Sequence, residues 1–368
     1  MLKVLHGADF HLDSPFSGLK PDAAARRRGE QRELLARLTD LAREREADLV
    51  LLSGDLLDGD LVFRETVQVL ARALGEIPCP VFLAPGNHDW YGPGSPYAAL
   101  DWPENVHIFR TGAVESVELP ELNTVVHGAA FTAPEQTDSL LEGFIAPADG
   151  KCHLMVLHGD VGVSEARYDP LTEEEIARSG LTYLDYLALG HIHSCSGLRR
   201  AGATVWAYPG CPEGRGFDEL GDKGILEGTV DDRGAVALTF VPLARRRYES
   251  LRLDVTDRQP LEALEEALPP QTASDLYRIT FTGETGEAGV DLPGLTEALA
   301  DRFYHLELRD ETRIREDVWA RAQEDTLRGA FLRRLRLRWD GAQTEEDRQA
   351  ITAAARFGLA ALDNRDLG

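Results

Sequence analysis

Residues 48–58 read DLVLLSGDLLD and residues 80–89 read PVFLAPGNHD. In each, an apolar run without polar alternation stops abruptly at a glycine followed by side chains able to bind a ligand. Such a run marks a strand covered on both faces, as in a parallel sheet between other layers. A strand at 3–8 and helical compositions at 21–46 and 63–74 interleave with these two, so the opening reads βαβαβ. Parallel strands deliver their C-terminal residues to one edge of a sheet, which is where ligands bind. The runs at 154–157 and 186–189 also end at polar residues, His158 and His191, and strands follow at 204–208, 224–230 and 235–241. The fold class expected is α/β, a layered two-sheet sandwich over residues 1–245.

Beyond it, ARRR at 244–247 reads as a linker. A strand at 251–255, a helix at 261–268, a strand at 277–281, a helix after Pro293 and a strand at 304–308 make a small α+β domain, 246–312. The final segment, 313–368, is expected to be helical from Glu316 onward. Leu327, Phe331, Leu335 and Trp339 recur there at four-residue spacing among Arg333, Arg334, Arg336 and Arg338, an apolar stripe that suits packing within the chain or on a partner helix. Thr344 with Asp347 three residues on is placed to cap a last helix reaching Leu362.

The chain has 368 residues, about two domains' worth, and 43% apolar residues, enough for a buried core and against intrinsic disorder. No apolar run approaches the ~18 residues of a membrane span, and MLKVLHGAD reads as a strand rather than a signal segment. A cytoplasmic protein with no membrane partner is expected. The four cysteines form no CxxC pair and are expected as reduced thiols, Cys195 among them as a buried one. With 39 Lys plus Arg against 63 Asp plus Glu the net charge is -24, which opposes binding to a phosphate backbone. The segment 311–368 is neutral, so the excess belongs to the preceding body, with 28 basic against 52 acidic residues.

Each abrupt strand end carries ligand-type residues: Asp9 and His11 (GADFH), Asp55 and Asp58 (GDLLD), Asn87, His88 and Asp89 (GNHD), His158 (LHGD), and His191 and His193 (GHIH). Five of the ten histidines fall there, so the clustering is not a matter of composition. Carboxylates, imidazoles and a carboxamide suit divalent ions such as Mn²⁺, Mg²⁺, Fe²⁺ or Zn²⁺, and they suffice for two ions sharing a bridging carboxylate. Taken singly, GDLLD or GNHD is an ordinary turn after a strand. All five in order, each after an apolar strand, point to a metal centre. Asp13 and Asp89 read as turn or cap residues, and His6, His107, His127, His153 and His305 receive no role. Arg215, between two glycines, suits either a substrate phosphate or an ordinary surface loop.

The ordered set D-x-H, GD-x-x-D, GNHD, H and GH-x-H resembles the calcineurin-like metallophosphoesterase superfamily over residues 1–245. Within it, HLDSPF at 11–16, the GDLLD form and AYPGCPEGRGFDELGDKG at 207–224 resemble the SbcD-like and YhaO-like DNA exonuclease branch. The resemblance implies a two-sheet metallophosphoesterase sandwich with a small α+β capping domain and C-terminal helices. It places one ion on Asp9, His11, Asp55 and His193 and a second on Asp55, Asn87, His158 and His191, with Asp55 as the bridge and manganese as the foremost candidate metal. His88 is left to stabilise the transition state or protonate the leaving oxygen, with Asp58 to orient it. The function implied is a two-metal DNA phosphodiesterase of DNA repair, an exonuclease with single-strand endonuclease activity. Its implied partners are DNA, a second copy in a homodimer, and an SMC-like coiled-coil ATPase, SbcC-like or YhaN-like, on which the Leu327–Trp339 stripe docks. The alternatives are a small-molecule phosphoesterase or cyclic nucleotide phosphodiesterase on the same centre, and a non-catalytic scaffold subunit.

Overall fold

The computed structural model describes residues 1–59, 62–163, 167–180, 183–231, 233–286, 288–315 and 317–362. The chain divides into two compact units. Unit 1 comprises Met1–Leu251, Pro269–Arg278 and Ala300–Glu307, and unit 2 comprises Arg252–Leu268, Ile279–Leu299 and Leu308–Gly368.

Unit 1 runs β1 (Leu2–Gly7), α1 (Pro21–Glu44), β2 (Leu49–Leu52), α2 (Arg64–Gly75), β3 (Val81–Leu83), α3 (Pro96–Ala99), β4 (Val106–Ile108), β5 (Glu115–Leu119) and β6 (Thr124–Gly128). It continues with β7 (Cys152–His158), β8 (Asp160–Val161), β9 (Pro170–Leu171), α4 (Glu173–Gly180), β10 (Leu184–Gly190), β11 (Arg199–Ala201), β12 (Thr204–Ala207), β13 (Gly224–Val230) and β14 (Val236–Pro242). Two six-stranded sheets result, in the orders β14-β13-β1-β2-β3-β4 and β11-β12-β10-β7-β6-β5. This is the mixed α/β, two-sheet architecture expected from the sequence.

The continuous apolar runs are explained by alternation between two cores. On β2, Leu49 and Leu51 face the second sheet while Val50 and Leu52 face α1 and α2. On β7, Leu154 and Val156 enter the inter-sheet core while Met155 and Leu157 join Ile176 of α4 on the far side. The helices bury matching stripes: Leu34, Leu35, Leu38 and Leu41 on α1, and Val67, Leu70 and Leu74 on α2. Both faces of each central strand are thereby out of water, and period-2 patterning has no reason to appear.

Strands β1, β2 and β3 are mutually parallel in one sheet, and β7 and β10 are parallel in the other. Their C-terminal ends meet where Gly190, closing β10, approaches Ser53 beyond β2. A Cβ on Gly190 would lie 1.8 Å from the Ser53 carbonyl oxygen, so only glycine allows this contact.

The residues 244–247, read as a linker, are instead held by ion pairs: Arg245 to Glu33 (3.0 Å), Arg246 to Glu30 (2.6 Å) and Arg247 to Asp275 (3.1 Å). A carboxylate opposite each guanidinium fixes a segment whose composition alone suggests freedom.

Further on lie β15 (Tyr248–Asp254), α5 (Pro260–Ala267), β16 (Leu276–Thr282), β17 (Glu284–Thr285), α6 (Leu292–Ala298), β18 (His305–Asp310), β19 (Arg313–Ile314), α7 (Leu327–Asp340) and α8 (Glu345–Leu362). Strands β15, β16 and β18 form a sheet in that order and have residues in both units. Glu316 lies outside the described residues, and regular helix begins only at Leu327, after a 3₁₀ turn at Ala320–Gln323. In unit 2, Phe331 of α7 sits on Gly358 of α8, where a Cβ would come within 2.1 Å of the ring. Phe331 and Leu335 pack on a small core of Val318, Ala322, Leu332 and Ala355, and Trp339 lies beside Trp319 with ring centres 6.3 Å apart. Most of the apolar stripe is therefore covered by its own unit, and Leu327 is its exposed member. Thr344 caps α8 as its spacing suggests, accepting the Asp347 N–H at 3.1 Å. No helix among the described residues is long and apolar enough to cross a membrane.

Candidate metal centre

The ligand-type residues sit in the turns that follow the five parallel strands, and the backbone pays for the sharpness of those turns in conformation. Asp9, His11, Asp55 and His191 all have positive φ (55°, 44°, 51° and 110°), a region that non-glycine residues occupy only when their surroundings over-determine it. Here the surroundings do. The Asp9 and His11 amides donate to the carbonyls of Gly54 (3.0 Å) and Asp55 (2.9 Å), which locks the β1 turn to the β2 turn. Buried Asp89 joins the β2 turn to the β3 turn, accepting from the amides of Leu56 and Gly86 (both 2.7 Å) and Asp55 (3.1 Å), and from the Tyr97 hydroxyl. Asp13 likewise accepts from the Phe63 amide (2.9 Å) and the Thr66 hydroxyl (2.8 Å). Both aspartates hold turns, as expected.

On this frame the predicted residues converge. His11 Nε2 lies 3.2 Å from His193 Nε2 and 3.8 Å from Asp55 Oδ2, and His193 Nε2 lies 3.9 Å from Asp9 Oδ1. On the other side of Asp55, the same Oδ2 is 3.4 Å from His158 Nε2, which faces the Asn87 side-chain oxygen at 2.9 Å. His191 joins by its ring, 5.2 Å from that of His158, and by its amide, which donates to both Asp9 oxygens at 3.1 Å. Asp58 Oδ1 stands between His11 Nδ1 (3.3 Å) and His88 Nδ1 (3.2 Å).

Proton positions follow from the partners. His158 Nδ1 faces the Ser53 carbonyl at 2.9 Å, an acceptor only, so Nδ1 carries the hydrogen and Nε2 presents a lone pair. His11 Nδ1 donates to Asp58 and His193 Nδ1 donates to Glu219 Oε1 (2.7 Å), which leaves lone pairs on both Nε2 atoms as well. Three imidazole lone pairs, an amide oxygen and the Asp9 and Asp55 carboxylates thus point at one another without hydrogens between them. Acceptors in that arrangement need cations, and the donor set of oxygen and imidazole nitrogen fits divalent ions.

Electrostatics agree. Burial, reinforced by the Asp55 charge, pushes the Asp9 carboxyl well above its usual range, and burial raises Asp55 too. Burial holds His11 and His158 down to about 4 and His191 to about 3, so all three imidazoles are neutral at neutral pH. Asp58 departs in the opposite direction: although burial opposes it, hydrogen bonds from His11 and His88 hold it far below the carboxylate range. His88 is raised, chiefly by its hydrogen bond to Asp58; its side chain is 43% exposed and its ring meets that of His11 edge-on with centres 4.8 Å apart, at the rim of the cluster.

Sequence reasoning missed one participant. Glu219 is buried, holds His193 Nδ1, and accepts from the Arg215 amide (2.8 Å) and guanidinium (2.7 Å). Arg215, left between two readings, is this anchor, and its Nη2 also lies 3.0 Å from His193 Nδ1. Glu219 lies far from His193 in the chain, and only its place in the stretch 207–224 drew notice to it. Carboxylates behind ligating histidines fix the tautomer and strengthen the ligand. Glu219→Gln is expected to weaken divalent-ion binding by about 10- to 100-fold, read by titration calorimetry of stripped protein; unchanged affinity would remove this role. Cys195, expected as a buried thiol, is exposed, because the turn after His193 carries it to the surface. The five histidines without an assigned role lie outside the cluster. His6 is nearest beneath it, bonded to the Tyr186 hydroxyl (2.7 Å) and Ser53 (3.0 Å).

Residues 2–195 match the calcineurin-like phosphoesterase family, a span that contains every converging residue except Arg215 and Glu219. The chain belongs to this family. It is also 28% identical over 371 residues to a protein described as an uncharacterized metallophosphoesterase, YhaO of Bacillus subtilis (strain 168), covering 95% of this chain and 88% of that one. This calcineurin-like phosphoesterase is accordingly a metal-dependent phosphoester hydrolase. Bound divalent ions in such a centre neutralise phosphoryl charge and make water a nucleophile at neutral pH. The protein's own part is to hold the neutral imidazoles and two carboxylates in place.

Proposed function

We propose that this protein is a two-metal DNA phosphodiesterase, an exonuclease with single-strand endonuclease activity that serves DNA repair in the cytoplasm. The observation that carries the reading is the division of the cluster by Asp55, with His11, His193 and Asp9 on one side and His158 and Asn87 on the other. Asp55 is the bridge, Asp9, His11 and His193 complete one site, and Asn87, His158 and His191 complete the other, with manganese the ion of choice. His88 is the general acid for the leaving oxygen and Asp58 its orienting partner. The polynucleotide substrate is supported by the segments 11–16 and 207–224, which carry the resemblance to the SbcD-like and YhaO-like branch and border the centre through His11 and Glu219.

The acting form is a homodimer paired with an SbcC-like or YhaN-like coiled-coil ATPase, which engages the exposed surface of α7 and α8. With a net charge of -24, the metal ions and that partner supply much of the attraction for DNA. The test is hydrolysis of end-labelled linear duplex DNA, beside a chromogenic phosphodiester and a cyclic nucleotide, by stripped protein given Mn²⁺. Metal-dependent shortening of the DNA is expected. Hydrolysis of the small esters alone, with the ATPase present, would make this a small-molecule phosphoesterase.

A further inference from the structure

A cavity of about 300 Å³ opens beside the metal centre and is lined in part by Ser14, Phe16, Arg215, Phe217, Tyr248 and Arg278. It is built from the two segments that set this chain apart in sequence, 11–16 and 207–224. It also shares a wall with the centre, because Arg215 and Glu219 line the cavity while contacting His193 at 3.0 and 2.7 Å, and Ser14 donates its amide to the His11 carbonyl (3.1 Å). The cavity is therefore one side chain away from His193 of the cluster.

Its walls have a definite chemistry. The Arg278 guanidinium lies over the Phe217 ring, 4.1 Å from its centre, and is oriented by Glu307 at 2.9 Å. The Tyr248 ring meets Phe217 edge-on at 5.1 Å, and the Tyr248 hydroxyl is tied to the Arg215 carbonyl (3.1 Å), so the aromatic wall is fixed in place. Phe16, on the opposite segment, has φ of 49°, a conformation that a bulky side chain keeps only where the fold holds it. A half-exposed aromatic ring backed by a guanidinium is a surface on which a flat heterocycle stacks. Carboxylates and serine hydroxyls around it offer hydrogen bonds to the edges of such a ring or to a sugar. An apolar metabolite would make no use of those polar groups, and a bare phosphate would not use the aromatic wall.

We infer that this cavity is a nucleoside subsite, which seats the base and sugar next to the scissile phosphate by stacking the base on Phe217. The inference rests on the phosphodiesterase reading for its placement and adds what that reading lacks, a feature of the protein that distinguishes a nucleotide from any other phosphate ester. Arg215 and Glu219 couple the subsite to the metal centre through His193.

The test is calorimetric titration of the Mn²⁺-loaded full chain with deoxyadenosine 5′-monophosphate and, separately, with 2-deoxyribose 5-phosphate, which lacks the base. The wild type is expected to bind the nucleotide about tenfold more tightly than the abasic compound, the lower end of what one base–aromatic stack contributes. Phe217→Ala is expected to erase that ratio and Phe217→Trp to preserve it, which separates lost stacking from lost folding. Equal binding of the two compounds by the wild type, or an undiminished ratio in Phe217→Ala, would overturn the subsite. A retained ratio together with no hydrolysis of linear DNA would instead overturn the polynucleotide reading and leave a nucleotide subsite standing.

Discussion

Asp55→Asn is expected to lose bound divalent metal and to drop phosphodiester hydrolysis by more than about 100-fold, the scale on which removing a single preorganised charge from a catalytic site acts. Asp55 Oδ2 faces His11 Nε2 on one side and His158 Nε2 on the other, at 3.8 and 3.4 Å. An amide there removes the negative charge that both sites share and can turn N–H groups toward lone pairs. The fold has little reason to fail, because asparagine tolerates the φ of 51° at this position and its oxygen can still accept the His88 amide (2.9 Å). Elemental analysis of the purified variant beside its kcat checks the expectation. Full metal content with wild-type kcat would show that Asp55 is not the bridge.

The second large effect separates binding from turnover. His88→Ala is expected to keep its metal ions and lose about 10²- to 10⁴-fold in kcat, the range associated with removing a general acid or base. Its ring stands edge-on to His11 at 4.8 Å and shares Asp58 with it, outside the set grouped around Asp55. Nδ1 is engaged by Asp58 at 3.2 Å, which leaves Nε2 as the nitrogen available to substrate, and the side chain is 43% exposed. The hydrogen bond to Asp58 moves its pKa upward from the ordinary histidine value, the direction that favours a proton on the ring. Steady-state kinetics on a chromogenic phosphodiester, with metal content measured in parallel, reads both halves. Undiminished kcat would end the general-acid assignment.

The parts of this molecule that were legible in its sequence are those where one local rule suffices. Four consecutive apolar residues at Leu49–Leu52, too short for a helix and closed by Ser53 and Gly54, suit a strand buried on both faces, and the residues just beyond such strands share one edge of a sheet. The Asp89 turn and the Thr344 cap are equally local, since their partners lie within a few residues or in the adjoining motif. What escaped depends on contacts between distant segments. Glu219 looks like any acidic loop residue until β12 and β13 bring its loop against His193. Edge strand β5, with the sequence ESVEL, and three-residue β4 are too short and too polar to stand out without their neighbours. The arginines at 245–247 read as a linker because nothing nearby announces Glu30, Glu33 and Asp275. The stripe on α7 was visible, but its fully buried residue is Leu332, off that stripe, because α8 and the 3₁₀ turn approach from a side that helical periodicity does not specify.

The central claim is that Asp55 divides one cluster into two divalent-ion sites that together hydrolyse a phosphoester. Its most direct measurement is titration of stripped wild-type protein with Mn²⁺, counting ions bound per chain while following hydrolysis of a chromogenic phosphodiester. Two ions per chain are expected, with hydrolysis absent from the stripped protein and complete only when the second is bound. Full activity at one ion per chain, or activity that survives stripping, would contradict it.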